Sequence, residues 1–195
     1  YQDLGDTQNA DQQWRRALVD GATLGTTVAS TVVRELRTVA PERTAELLQT
    51  LVNETPVTQP AGVRLRVLLA SELVEQRHDS QDALPLLADT LANVQAGTSE
   101  QRDALLLRAR ALEAIGDEPG AIQVYRDMLT TYPNDIMVLN NLAYSLANGT
   151  GDTYRPKEAL EYAERLRPLI EGNSGASNVL DTVGWVYFKN SELEL

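Results

Sequence analysis

The sequence predicts an all-α protein, a solenoid of stacked antiparallel helix pairs. Three observations predict it. Leu105, Ala109 and Leu112 recur as Leu139, Ala143 and Leu146, each 34 positions later. Ala121 follows nine residues after Leu112, with Tyr125, Met128 and Pro133 behind it. The 195-residue chain is 43% hydrophobic but only 5% aromatic, and its abundant Ala, Leu, Glu and Arg suit close-packed helices. A small-residue repeat of this period marks helix–turn–helix units, none of which can bury its apolar face alone.

Within one 34-residue unit, the first helix (A) packs through positions 4, 7, 8 and 11 and the second (B) through positions 20, 24 and 27. Spacings of three and four put each set on one helical face. Positions 8 and 20 must be small, because the two helices approach closely there. Residues 1–19 read as a partial repeat with helix B only. Leu4-Gly5-Asp6 makes its turn, and Ala10, Trp14 and Ala17 take the B positions. Residues 22–55 form a degenerate pair broken at Pro41. Residues 61–96 pair Val67, Ser71 and Val74 with Ala83, Leu87 and Thr90, with Pro85 inside helix B.

Residues 102–135 are the clearest unit. Leu105, Arg108, Ala109 and Leu112 lead to Gly116-Asp117, where Gly suits a left-handed C-cap and Asp an N-cap. Residues 136–171 carry Leu139, Leu142, Ala143 and Leu146, then Ala159, Ala163 and Leu166, across a turn lengthened by four residues. Pro156 fits a first helical turn, and Pro168 predicts that the helix ends or kinks near Arg167. Residues 177–195 supply helix A only, through Leu180, Val183, Gly184 and Tyr187. An orphan B helix at one end and an orphan A helix at the other predict a piece of a longer chain. They also predict self-association of the uncovered apolar faces, head-to-tail or by two-fold pairing of the last helices.

The formal net charge of −11 argues against nucleic acid, whose binding rests on phosphate neutralisation, and favours basic partners. No apolar run is long enough to insert into a membrane. There is no Cys, so thiolate chemistry and cysteine metal sites are excluded. His78, the only histidine, lies in a predicted turn beside Asp79, and one His without Cys assembles no nucleophile system. Gly149-Thr-Gly151 lacks the Lys-Ser/Thr of a phosphate loop, and Gly172-Asn-Ser-Gly175 is no nucleophile elbow. Asp152 alone makes no calcium loop. Glu158, Glu161 and Glu164 read as a solvated helix face, with Glu161 and Arg165 paired. No catalytic residue, metal or cofactor is therefore expected.

The segments Leu139-Asn-Asn-Leu-Ala-Tyr144, Lys157-Glu-Ala-Leu-Glu-Tyr-Ala163 and Leu180-Asp-Thr-Val-Gly-Trp-Val-Tyr187 resemble the last repeats of long bacterial tetratricopeptide proteins. Such endings are common in those that accompany exopolysaccharide export and exosortase systems, which would place the chain in the periplasm or cell envelope. The resemblance implies a right-handed superhelix with A helices lining a concave groove, and a role in protein–protein interaction. By the family's register, position 9 of the groove reads Glu72, Arg110, Tyr144 and Trp185, and position 12 reads Glu75, Glu113, Ala147 and Phe188. Position 5 supplies Asn140 and Asp181, and Asn141 matches the family's groove asparagine. The paired-lysine carboxylate clamp of chaperone-binding members is absent. The expected function is a scaffold that holds a protein or peptide, favouring a basic one through Glu72 and Glu113. The alternatives are a self-assembling or structural module of a larger envelope or secretion complex, and a regulatory appendage of an enzyme.

Overall fold

The computed structural model describes the backbone of residues 2–171 and 177–194 and the side chains of residues 9–171 and 177–191. The Gly172-Asn-Ser-Gly175 segment lies outside the described residues. Chain contacts separate two compact units, Tyr1–Ala114 and Ile115–Leu195. The boundary falls inside the predicted 102–135 repeat.

The first unit holds α1 (Gln2–Leu24), α2 (Thr26–Val39), α3 (Pro41–Glu54), α4 (Pro60–Ser71), α5 (Ser80–Asn93) and α6 (Ser99–Ala114). A π-helical turn, Glu72–Arg77, prolongs α4. Consecutive helices pack on one another, and α4 also packs on α1 and α6. Helix α1 runs unbroken through Leu4-Gly5-Asp6, so the expected turn there is a helix instead, and the break comes at Gly25. That residue takes φ 150°, a region L side chains rarely enter. Helices α1 and α2 touch where a Cβ on Gly21 would sit 3.2 Å from the Ala29 Cα. The buried stripe of α1 is centred on Leu18 and Ala22, with Trp14 packed against the same cluster and Ala10 exposed. Pro41 starts α3, as the sequence predicts, one residue after α2 ends. Gly62 is required by contact, because a Cβ would meet the Pro56 carbonyl oxygen at 2.0 Å. Arg66 donates to the carbonyls of Thr55 and Val52 at 2.9 and 3.3 Å, which satisfies the C-terminal end of α3, and to Gly62 of its own helix at 3.0 Å. Pro85 lies inside α5 without ending it.

The second unit holds α7 (Glu118–Thr131), α8 (Ile136–Asn148), α9 (Pro156–Ile170) and α10 (Ser177–Glu194). Gly116 adopts φ 83° and the Asp117 side chain accepts from the Gly120 N–H at 3.0 Å, the cap pair that the sequence predicts. Asp135 caps α8 in the same way through the Val138 N–H at 3.1 Å. Leu139, Leu142, Ala143 and Leu146 of α8 and Ala159, Ala163 and Leu166 of α9 are all fully buried, so the small-residue register holds there. The long turn between them is tied by the Arg155 N–H donating to the Leu146 carbonyl at 2.8 Å and the Thr153 hydroxyl donating to Glu118 at 2.8 Å. Helix α9 continues past Arg167 to Ile170 with Pro168 inside it. The proline removes one donor in the last turn, and the Glu171 N–H still closes on the Arg167 carbonyl at 3.2 Å.

Candidate functional site

The ten residues predicted to line a groove divide four to the first unit and six to the second. In the first unit Glu72, Glu75 and Arg110 tie helices together. Glu72 is 2% exposed, and its Oε2 accepts from Arg37 Nε and Nη2 of α2 at 3.1 and 2.6 Å. It is therefore not presented on an open surface. Glu75 is half-buried, accepts from the Ser71 hydroxyl at 3.0 Å and is paired with Arg110 of α6. Glu113 is half-buried as well.

These pairs share a rule that the sequence reading missed. Partners lie about one repeat apart: Arg37 and Glu72 by 35 residues, Glu75 and Arg110 by 35, Arg64 and Glu100 by 36. Equivalent helix faces of successive repeats stack, so a charge at one register position meets its partner in the next repeat. Arg64 and Glu100 are 2.7 Å apart. Burial pushes the Glu100 carboxyl up, but hydrogen bonds from Arg64 and Ser99 override it and hold the group below the usual carboxylate range. In the second unit Arg126 and Glu158 make such a tie, with contacts of 2.8 and 2.9 Å to the two carboxylate oxygens, 32 residues apart. Glu158 is thus a half-buried partner and not part of a solvated face. Nor does Arg165 pair with Glu161. Its Nη2 donates to the Pro133 carbonyl at 2.5 Å and its guanidinium stacks on Tyr162, 5.6 Å from the ring centre.

The six residues of the second unit lie on α8 and α10, which pack side by side. Tyr144 is 53% exposed, Trp185 37% and Phe188 50%. The spacing 181, 185, 188 places Asp181, Trp185 and Phe188 on one face of α10, and the two rings lie 5.5 Å apart. The Trp185 indole N–H donates to Asn148 Oδ1 of α8 at 2.9 Å, and the Lys189 ammonium sits 5.0 Å from its ring centre. Asn141 donates weakly to the buried Tyr125 hydroxyl at 3.4 Å. Neighbouring Asn140 donates to Asn141 Oδ1 at 3.3 Å and keeps a buried Oδ1 without a partner. An unsatisfied amide oxygen beside exposed rings is unusual in a purely structural surface. Asn148 and Lys189 both fall at position 13 of the repeat, which the family's register also turns toward the groove, but a lone amide and a lone ammonium gave no signal to single them out. Met137, 41% exposed on α8, falls at position 2, another groove position of the same register.

His78 lies exposed in a turn, with φ 59°, and the described residues include no group of three His, Asp or Glu placed to hold a metal. No described helix is long and apolar enough to cross a membrane. A tetratricopeptide-repeat family model matches residues 102–145. No curated protein matches the chain. Among solved structures, MamA of AMB-1 is 20% identical over 86% of this chain and 95% of its own, with a TM-score of 0.57. MamA of MSR-1 is 19% identical over 83% and 97%, with a TM-score of 0.58. Residues 102–145 therefore match the tetratricopeptide-repeat family, within an all-α fold similar to that of MamA.

Proposed function

We propose that the chain is a protein-interaction scaffold and that the exposed face of α8 and α10 holds an extended segment of a partner polypeptide. The observation that carries this reading is three exposed rings on two adjacent helices, Trp185 and Phe188 in contact on α10 and Tyr144 on α8, the helix that also carries the Asn140–Asn141 amides. Rings of this kind supply contact area at low entropic cost and dominate binding energy where they occur. The amides would hydrogen-bond the backbone of the segment. A partner found by affinity capture would be confirmed by calorimetric titration. Trp185→Ala and Asn141→Ala are expected to weaken binding at least about tenfold while leaving the helical circular dichroism unchanged. A loss caused instead by Glu161→Ala on α9, with those two variants binding normally, would overturn the reading. Membership of an exopolysaccharide-export assembly in the cell envelope rests on the resemblance of the last repeats alone.

A second reading has its own observation. Leu180 is 56% exposed, and a Cβ on Gly184 would touch nothing within 4 Å. Their counterparts on α8, Leu139 and Ala143, are fully buried. This open face supports self-association through α10, as the sequence suggests. Sedimentation over a wide concentration range is expected to show association that Leu180→Glu suppresses. A strict monomer would remove this reading.

A further inference from the structure

The first unit contains a hollow of about 390 Å³ that the groove reading does not use. It is lined by Arg37 of α2, Pro41 and Glu42 at the start of α3, Glu72, Gln76 and Arg77 of the π-helical turn, and Asp79. Its volume lies at the small end of the roughly 300–1,000 Å³ spanned by ligand sites, which suits one long side chain.

The distribution of donors and acceptors decides what the hollow takes. Arg37 spends Nε and Nη2 on Glu72 Oε2, and Arg77 donates Nη2 to the Glu42 backbone carbonyl at 3.0 Å. Arg37 Nη1 and Arg77 Nε and Nη1 donate to no described residue, and the acceptors are open as well. Glu72 Oε1 receives no hydrogen bond among the described residues, although the residue is almost fully buried. The Glu42 and Asp79 side chains are exposed, and no described residue donates to either carboxylate. Two guanidiniums thus face three carboxylates, leaving one negative charge in excess inside a chain of net charge −11.

We infer that this hollow binds the cationic head of a lysine or arginine side chain from a partner polypeptide, with Glu72 Oε1 at its floor and Glu42 and Asp79 at its rim. An ammonium or guanidinium there replaces water at the open acceptors with charge-assisted hydrogen bonds and neutralises the excess charge. An anion would have to approach three carboxylates to reach the remaining guanidinium N–H groups. The site belongs to the first unit alone, and the proposal holds whether or not the α8–α10 face of the second unit binds a peptide.

The test is an NMR titration of the ¹⁵N-labelled chain with N-acetyl-arginine amide and N-acetyl-lysine amide, with the N-acetyl amides of glutamine and glutamate as neutral and acidic controls. The basic probes are expected to give saturable shifts at the amides of Arg37, Glu42, Gln76 and Arg77. The relative affinities of the two basic probes tell whether guanidinium or ammonium is preferred. Glu72→Gln is expected to weaken binding about tenfold, and Trp185→Ala to leave it unchanged. Because Glu72 is buried against Arg37, the exposed pair Glu42→Gln and Asp79→Asn provides a second variant that keeps the fold, with an expected loss of several-fold. Absence of saturable shifts, equal response to the glutamine or glutamate probe, or undiminished affinity in the folded variants overturns the proposal.

Discussion

Equivalent register positions of the repeat serve opposite ends in the two units. In the first, position 9 is Glu72, buried and held by Arg37, and position 12 is Glu75, held by Arg110. In the second, position 9 is Tyr144 or Trp185 and position 12 of the last helix is Phe188, all exposed. A charge at such a position finds its opposite one repeat away and becomes a tie between helices. A ring meets no opposite charge there and keeps an exposed face, even where, as at Trp185, its N–H is held by Asn148 about one repeat away. What the repeat fixes is the place on the helix; the side chain decides whether that place binds inward or outward.

The largest expected effect tests the inward role. Arg37→Ala strands the Glu72 carboxylate, and breaking a buried pair by removing one partner costs about 3 kcal/mol or more. Trp185→Ala, at a half-open site, is expected to cost less than about 1 kcal/mol. Urea unfolding of both variants measures the difference. A mild Arg37→Ala beside a severe Trp185→Ala would reverse the assignment of the two regions. The next test compares one register position in two helices. Ala143→Leu on α8 overpacks a filled contact and is expected to cost about 1–3 kcal/mol. Gly184→Leu on α10 enters open space, so its main effect is the gain in helix propensity, up to about 1 kcal/mol of stabilisation. Thermal midpoints that move the same way in both variants would show that α10 is covered like α8.

The smallest effect is a pH dependence. Glu100 titrates below its ordinary value in the folded chain because Arg64 and Ser99 outweigh its burial. A depressed carboxyl contributes stability that is complete above the ordinary carboxylate pKa and is lost as pH falls through that value toward the folded one. Glu100→Gln is therefore expected to be less stable than the parent near neutrality and to lose less on acidification. Parallel acid-unfolding curves for the two chains would remove the Arg64–Glu100 tie from the stability of the first unit.

Much of the fold is legible in the sequence because small residues at fixed spacing have one physical use. Ala143, Ala159 and Ala163 are fully buried where the register requires it, and Gly116-Asp117 and Pro41 punctuate the helices as their backbone chemistry dictates. The misreadings arise where a local signal competes with packing. Leu4-Gly5-Asp6 resembles a turn, yet α1 passes through it, since a lone glycine costs a helix only about 1 kcal/mol. Pro168 is tolerated because it falls in the last turn of α9, where few hydrogen bonds remain to lose. The candidate site was half legible. The exposure of Tyr144, Trp185 and Phe188 follows from register, but the burial of Glu72 does not. Its partner is 35 residues away, and within a single helix its charge is indistinguishable from a solvated one. An offset search for opposite charges one repeat apart would have paired Arg37 with Glu72 and Glu75 with Arg110.

The π-helical turn at Glu72–Arg77 has a consequence for how this chain can change over time. Such a turn accommodates one residue more than an α-turn does, and a single residue turns a helix by about 100°. On its near side it fixes the azimuth of Glu72 toward Arg37, and on its far side it sets the exit of the chain through His78 into α5. Losing one residue within it would restore a regular helix but swing one of those two ends out of line. A shortening there would therefore survive only alongside a compensating insertion before Ser80, so the length of this segment and that of the following turn are expected to vary together in descendants of the sequence.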